Sequence, residues 1–143
     1  MTKREYKEMY DVVGAAVEVF NTLGRGMAEA VYQEALAIEF QQRGMKAERE
    51  KMLTLSYKGF PMQKTYFADF YYRGILVELK SVEEVSSEHR AQLFNYMRIT
   101  EKYRGLLFNF GEKSLHTERY LYLPEEDDFV LLNQDNYKSD IDD

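Results

Sequence analysis

The sequence predicts a mixed β-sheet flanked by helices, an α/β or α+β fold with a helical hairpin at its N-terminus. Three observations lead there. Helix-spaced apolar residues fill the first forty or so positions, strand-like alternation takes over from about Lys46 to Val82, and one more helical stretch separates that block from two further strand-like runs. The order helix, helix, three strands, helix, two strands packs as helices on one or both faces of a sheet, not as a bundle or barrel.

Thr2 followed by Glu5 has the spacing of a capping box, and Tyr6, Met9, Val13, Ala16, Val17 and Phe20 continue the pattern, so a helix is expected from about residue 3 to 22. Gly24 and Gly26 offer the backbone freedom of a C-cap and a tight re-entry. Val31, Ala35, Leu36, Ile38 and Phe40 mark a second helix to about Arg43, closed by Gly44. On it Glu29, Tyr32, Leu36 and Phe40 share one stripe, with Glu29 at the end where the helix dipole favours a carboxylate.

Lys46 to Tyr57 is a polar strand candidate, Lys58-Gly59 the next turn, and Pro61 confines the start of the following strand to an edge or entry position. Ser86 and Ser87 are N-cap candidates for a third helix running to about Glu101, along which His89, Gln92 and Tyr96 form one stripe. Arg104–Phe110 and Glu118–Leu123 read as strands. The expected domain is therefore 1–123, followed from Pro124 by an acidic tail, 124–143, that can dock through the apolar segment 129–132.

The stretch Tyr66–Val82 carries the chemistry. Two strands meet there at Arg73-Gly74, and a two-residue turn sets Asp69 opposite Glu78, with Cβ atoms about 5 Å apart and Lys80 on the same face. A three-residue turn would shift the register by one and misalign them. Alternation puts Tyr66, Ala68, Phe70 and Tyr72 with Ile75, Val77 and Leu79 on a core face, and Phe67, Asp69 and Tyr71 with Leu76, Glu78 and Lys80 on the other.

An ion-paired hairpin on an exposed sheet face would use the same residues. Two features favour a site instead: Glu78 interrupts the most apolar run of the chain, ILVELKSV, and Asp69 and Glu78 repel one another unless a cation or Lys80 lies between them. Hard carboxylate oxygens, in a chain with no cysteine and 2 histidines, suit Mg²⁺ or Mn²⁺ rather than zinc. Such a metal would bind Asp69, Glu78 and the carbonyl of Leu79 and lower the pKa of its waters. Lys80 would orient or deprotonate the attacking water, or stabilise a phosphorane-like transition state. These are the parts needed to hydrolyse a phosphodiester.

The absence of cysteine also excludes a disulfide framework. The N-terminus lacks the apolar core of a signal peptide and no apolar run approaches a membrane span, so a cytoplasmic protein without membrane contact is expected. The net charge of −6 is concentrated in residues 124–143, which carry −7, leaving +1 on the other 123 residues. A near-neutral body neither requires nor excludes a polyanionic partner, because binding needs local positive charge.

GMAEAVY at 26–32 resembles the signature of the GxxExxY proteins. The succession LGRGMAEAVYQEALAIEFQQRG, a strand with Asp69, VELKSV, HRAQLFNYM and GLLFNFG is similar to that family from about Leu23 to Gly111. The family resembles the PD-(D/E)XK nuclease superfamily, and the resemblance implies a restriction-endonuclease-like core and an Mg²⁺- or Mn²⁺-dependent nuclease, acting on DNA ahead of RNA. It assigns Asp69, Glu78 and Lys80 to the acid, acid and lysine of the nuclease motif. Glu29 corresponds to the helical glutamate that can complete the metal site, and Gln92 and Tyr96 to the Q-x-x-x-Y element of the exonuclease-type branch. The alternative is a catalytically silent module of the same fold in a larger assembly, as a homodimer or with a protein partner.

Overall fold

In the computed structural model, which describes residues 1–133, the elements are α1 (Lys3–Leu23), α2 (Glu29–Gln42), β1 (Glu48–Tyr57), β2 (Phe60–Tyr72), β3 (Ile75–Lys80), α3 (Ser87–Thr100), β4 (Arg104–Asn109), β5 (His116–Leu123) and β6 (Asp128–Leu132). The strands form one six-stranded sheet in sequence order, antiparallel except where β3 and β4 run parallel. A parallel pair needs a long crossover, which α3 supplies. This is the mixed sheet with flanking helices that the element order predicts. Strand β6, formed by the segment holding Phe129–Leu132, pairs with β5, while residues 134–143 of the acidic tail lie outside the described residues.

Two apolar cores sandwich the sheet. One joins Met9, Val12 and Val19 of α1 and Tyr32, Leu36 and Phe40 of α2 to Phe70, Val77, Leu79, Leu106 and Phe108. The other joins Leu93, Tyr96 and Met97 of α3 to Leu53, Ala68, Leu76, Leu107 and Tyr120. Strand β3 is therefore covered on both sides, and every residue from Ile75 to Leu79 is buried. That is why ILVEL reads as a nearly continuous apolar run. Gly105 admits α3 to the sheet, since a Cβ there would stand 2.6 Å from the sulfur of Met97.

The structure corrects the expected facing of β2. Phe70 and Tyr72 face α1 and α2 with Ile75, Val77 and Leu79, but Ala68 belongs to the α3 core and Tyr66 packs against it, as Tyr71 does. Phe67 is exposed. Strict alternation breaks between Ala68 and Phe70, and Glu50 of the neighbouring strand takes a left-handed conformation, φ 52°, at the same level. Asp69 sits at this switch point.

The hairpin turn has two residues, as the sequence predicts. Tyr72 pairs with Ile75, and Arg73 and Gly74 have φ of 47° and 86°, the left-handed pair of a type I′ turn. Arg104, buried in β4, clamps this turn: its guanidinium donates to the carbonyl of Arg73, to the carbonyl of Glu5 at 2.9 Å and to the Glu8 carboxylate at 3.0 Å. The register of the hairpin is thereby tied to α1. Among the described residues no helix is long and apolar enough to cross a membrane.

Candidate active site

The β2–β3 ladder runs from the turn to Phe70 opposite Val77, and the next two residues are Asp69 and Glu78. There side chains replace the ladder. The Asp69 amide donates to Glu78 Oε1 at 3.2 Å, and the Leu79 amide donates to Asp69 Oδ2 at 2.8 Å. Both acids are thus held by the main chain of the opposing strand, at the point where β2 peels away from β3. An opening of about 280 Å³ lies beside Asp69, lined also by Gln33 of α2 and by Glu50, Phe67 and Ala68 of β1 and β2.

Helix α2 approaches from one side. Glu29 opens the helix, half-buried and close enough to interact electrostatically with Lys80 and Asp69. One turn on, the amide of Gln33 donates to Asp69 Oδ1 at 2.8 Å, while Arg49 donates to Gln33 Oε1 at 2.9 Å. Arg49, Gln33 and Asp69 make a chain from β1 through α2 to the site. Gln33 lies four residues after Glu29, a spacing that puts both on one face, and this is the signal by which the sequence could have revealed it.

The segment before α2 explains the GMAEAVY pattern. Gly26 has φ 87° and donates its amide to the Phe110 carbonyl at 3.0 Å. Tyr32, fully buried and stacked on Phe110 with ring centroids 4.2 Å apart, donates its hydroxyl to the Gly24 carbonyl at 2.6 Å and accepts from the Met27 amide at 3.1 Å. The glycine and the tyrosine fix the connection between the helices, and the glutamate between them is presented to the sheet.

Helix α3 approaches from the other side. Lys80 Nζ donates to Gln92 Oε1 at 3.2 Å, and the Gln92 amide donates to the Tyr96 hydroxyl at 2.9 Å. Lys80, Gln92 and Tyr96 form one hydrogen-bonded row. His89, on the same stripe, instead closes a capping box with Ser86, accepting its amide at Nδ1 at 3.0 Å.

The electrostatics are those of acids gathered out of water. Burial pushes the Glu78 carboxyl well above the ordinary range, and the charge of Asp69 adds to this. Asp69 is raised by burial despite hydrogen bonds from Leu79 and Gln33, and Glu29 is raised by burial against the opposing charge of Lys80. Tyr96 is raised by burial, with the two carboxylates contributing. A set of hard oxygen donors whose ionised forms are short of positive charge fits a divalent cation. Among the described residues, however, no group of three or more His, Asp or Glu side chains is already gathered around a single ion position.

Other charged groups are mostly committed elsewhere. Arg90 makes a two-pronged contact with Glu118 at 2.8 and 2.7 Å, Arg43 pairs with Glu39, Lys51 with Glu48, and Arg98 with Asp127. A cleft of about 920 Å³ lies beyond Lys80 and is lined by Arg25, Gly26, Ser81, Glu83, Lys113 and His116, but by none of Asp69, Glu78 and Lys80.

No curated protein and no solved structure matches the chain. The family described as the PD-(D/E)XK nuclease superfamily matches over residues 6–120, a span that holds Glu29, Asp69, Glu78, Lys80, Gln92 and Tyr96. With a six-stranded mixed sheet between helices and that match over most of its length, the chain belongs to the PD-(D/E)XK nuclease superfamily and has its restriction-endonuclease-like fold.

Proposed function

We propose that this protein is a metal-dependent nuclease that hydrolyses phosphodiester bonds in nucleic acid, DNA ahead of RNA. The observation that carries the reading is the meeting of Asp69, Glu78 and Lys80 where β2 leaves β3, in a chain of a nuclease superfamily. PD-(D/E)XK nucleases typically use divalent metals. Here Asp69, Glu78, the carbonyl of Leu79 and Glu29 are the groups that would hold Mg²⁺ or Mn²⁺. When bound, the cation would supply Lewis acidity toward the phosphoryl group and offset the carboxylate charge.

The remaining work falls to the chain's own side chains. Lys80 orients the attacking water and faces the charge that develops on the phosphoryl oxygens as the water oxygen bonds to phosphorus and the ester oxygen departs. Gln92 holds the ammonium of Lys80 in place, and Tyr96 holds Gln92. Gln33 orients Asp69. The structural roles of Gly26 and Tyr32 around Glu29 support placing the chain among the GxxExxY proteins.

The test is cleavage of labelled single- and double-stranded DNA and RNA with Mg²⁺ or Mn²⁺. Lys80→Ala and Asp69→Ala are expected to lose about a hundredfold or more in rate. Equal activity in wild type and both variants would overturn the reading. A second reading, a nuclease fold that binds without turnover, draws on Asp69, whose two oxygens are already engaged by Gln33 and the Leu79 amide. Calorimetric titration decides between them: no Mg²⁺ or Mn²⁺ binding at millimolar concentration by the folded protein would favour the silent module.

A further inference from the structure

The β1–β2 hairpin is longer than the sheet needs. Strand β2 pairs with β3 only over Phe70–Tyr72, so the part from Phe60 to Asp69 is partnered by β1 alone on that side and forms an arm. The composition of the arm is unlike that of the rest of this acidic protein. Between Lys51 and Ala68 the sequence has Lys51, Lys58 and Lys64, no acid, and four aromatic residues, Tyr57, Phe60, Tyr66 and Phe67. Phe60 is 74% exposed and Tyr57 63%, and the two face each other across the strands.

One face of the arm leads to the candidate active site. On β2, Lys64 and Tyr66 lie together, the ammonium over the ring, and Phe60 pairs with Tyr57 beyond the register shift between Thr54 and Ser56. Tyr66, at the inner end, packs against Tyr96 with ring centroids 5.7 Å apart. Between the arm and α3 lies a cleft of about 540 Å³, lined by Leu55, Tyr66, Gln92, Asn95 and Tyr96. Two of these, Gln92 and Tyr96, are the residues in the row that ends on Lys80. Among the described residues neither Lys58 nor Lys64 has a carboxylate partner; their ammonium groups stand over the rings of Tyr57 and Tyr66, at 5.5 and 5.2 Å from the centroids.

We infer that the arm and the cleft at its base hold a single strand of nucleic acid, with one base in the cleft against Tyr66 and Tyr96 and the strand running outward past Lys64, Phe60 and Lys58. Aromatic rings interleaved with lysines are what an unpaired strand requires, since each base offers a π-face and each nucleotide a phosphate. A duplex keeps its base faces stacked and has none to offer the tyrosines. A second copy of the chain is a poorer occupant, because a two-fold contact through this face brings the lysines Lys58 and Lys64 of one copy to the same lysine-bearing face of the other. The inference rests on the nuclease reading only for its statement that the base in the cleft neighbours the reacting phosphate.

The experiment is fluorescence anisotropy of the full chain with labelled single-stranded DNA and RNA of about 20 nucleotides, and with the blunt DNA duplex, in EDTA so that nothing is cut. Single strands are expected to bind about tenfold or more tighter than the duplex. Lys58→Ala/Lys64→Ala should weaken binding about tenfold and flatten the slope of log K against log salt by roughly 1.4. Tyr57→Ala/Phe60→Ala, on the surface and checked for folding by circular dichroism, should weaken single strands about tenfold. Unchanged affinity in both variants, a duplex bound as tightly as a single strand, or no binding by wild type would overturn the inference. So would arm variants that turn a dimer into a monomer while binding strands normally. Binding without cleavage in Mg²⁺ or Mn²⁺ would instead sink the nuclease reading and leave this one standing, whereas cleavage with unaffected arm variants would sink this one alone.

Discussion

The backbone amide of Asp69 donates to the carboxylate of Glu78 at 3.2 Å, in place of the ladder bond that two facing strand residues would share. With the bond from the Leu79 amide to Asp69, this replacement of backbone by side chain lies where the β2–β3 pairing ends and keeps both acids hydrogen-bonded. It also gives the site a stability cost.

Burial raises the carboxyls of Glu78 and Asp69 in the folded protein, so the native state holds protons that the unfolded chain releases. Their contribution to stability is complete below the ordinary carboxylate pKa and is lost as pH rises through the raised values. Glu78→Gln removes the larger part of that loss, and should unfold in urea at pH 8 with a stability about 1–2 kcal/mol above wild type, the gap closing at pH 4, while cleavage is abolished. A gap independent of pH would show that Glu78 titrates normally.

Gln33 links Arg49 to Asp69, so it acts on the site through the acid and not on the substrate. Burial raises the Asp69 carboxyl, and the hydrogen bond from Gln33 opposes that rise. Gln33→Leu should therefore move the acid limb of the pH–rate profile upward, with about a tenfold loss near neutral pH that is partly regained at higher pH. A uniform loss at all pH values would mean that Gln33 only packs.

Tyr32→Phe deletes a hydroxyl that makes two hydrogen bonds to the connection between α1 and α2 while leaving the ring on Phe110. A cost of about 1 kcal/mol is expected, since two part-buried hydrogen bonds, to the Gly24 carbonyl and from the Met27 amide, are lost. Because Glu29 enters from this connection, metal affinity should fall as well. Thermal unfolding and metal titration of the variant measure the two effects separately.

Glu118 offers a contrast to the site acids. Burial alone would raise its carboxyl, but hydrogen bonds from Arg90, Tyr120 and His116 reverse that and hold it at about 2. This contribution to stability is present above the ordinary glutamate pKa and is lost as pH falls through about 2. With Arg90 partly open to solvent, Glu118→Gln should cost about 1–2 kcal/mol at pH 7 and progressively less below pH 4. Urea titrations of both proteins at pH 7 and pH 3 check it.

The sequence alone determined the order of elements from α1 to β5, the two-residue turn at Arg73-Gly74, and with it the meeting of Asp69 and Glu78. These depend on neighbours close along the chain: helix spacing, caps, and a turn whose φ angles select its residues. The tertiary structure decided the rest. That Leu76 is core, that Ala68 and Tyr66 turn toward α3, and that Gln33 reaches Asp69 depend on which layers cover the sheet and on where β2 parts from β3. Alternation along one strand carries no information about a break made by side chains of another, and here Glu78, nine residues on, makes it.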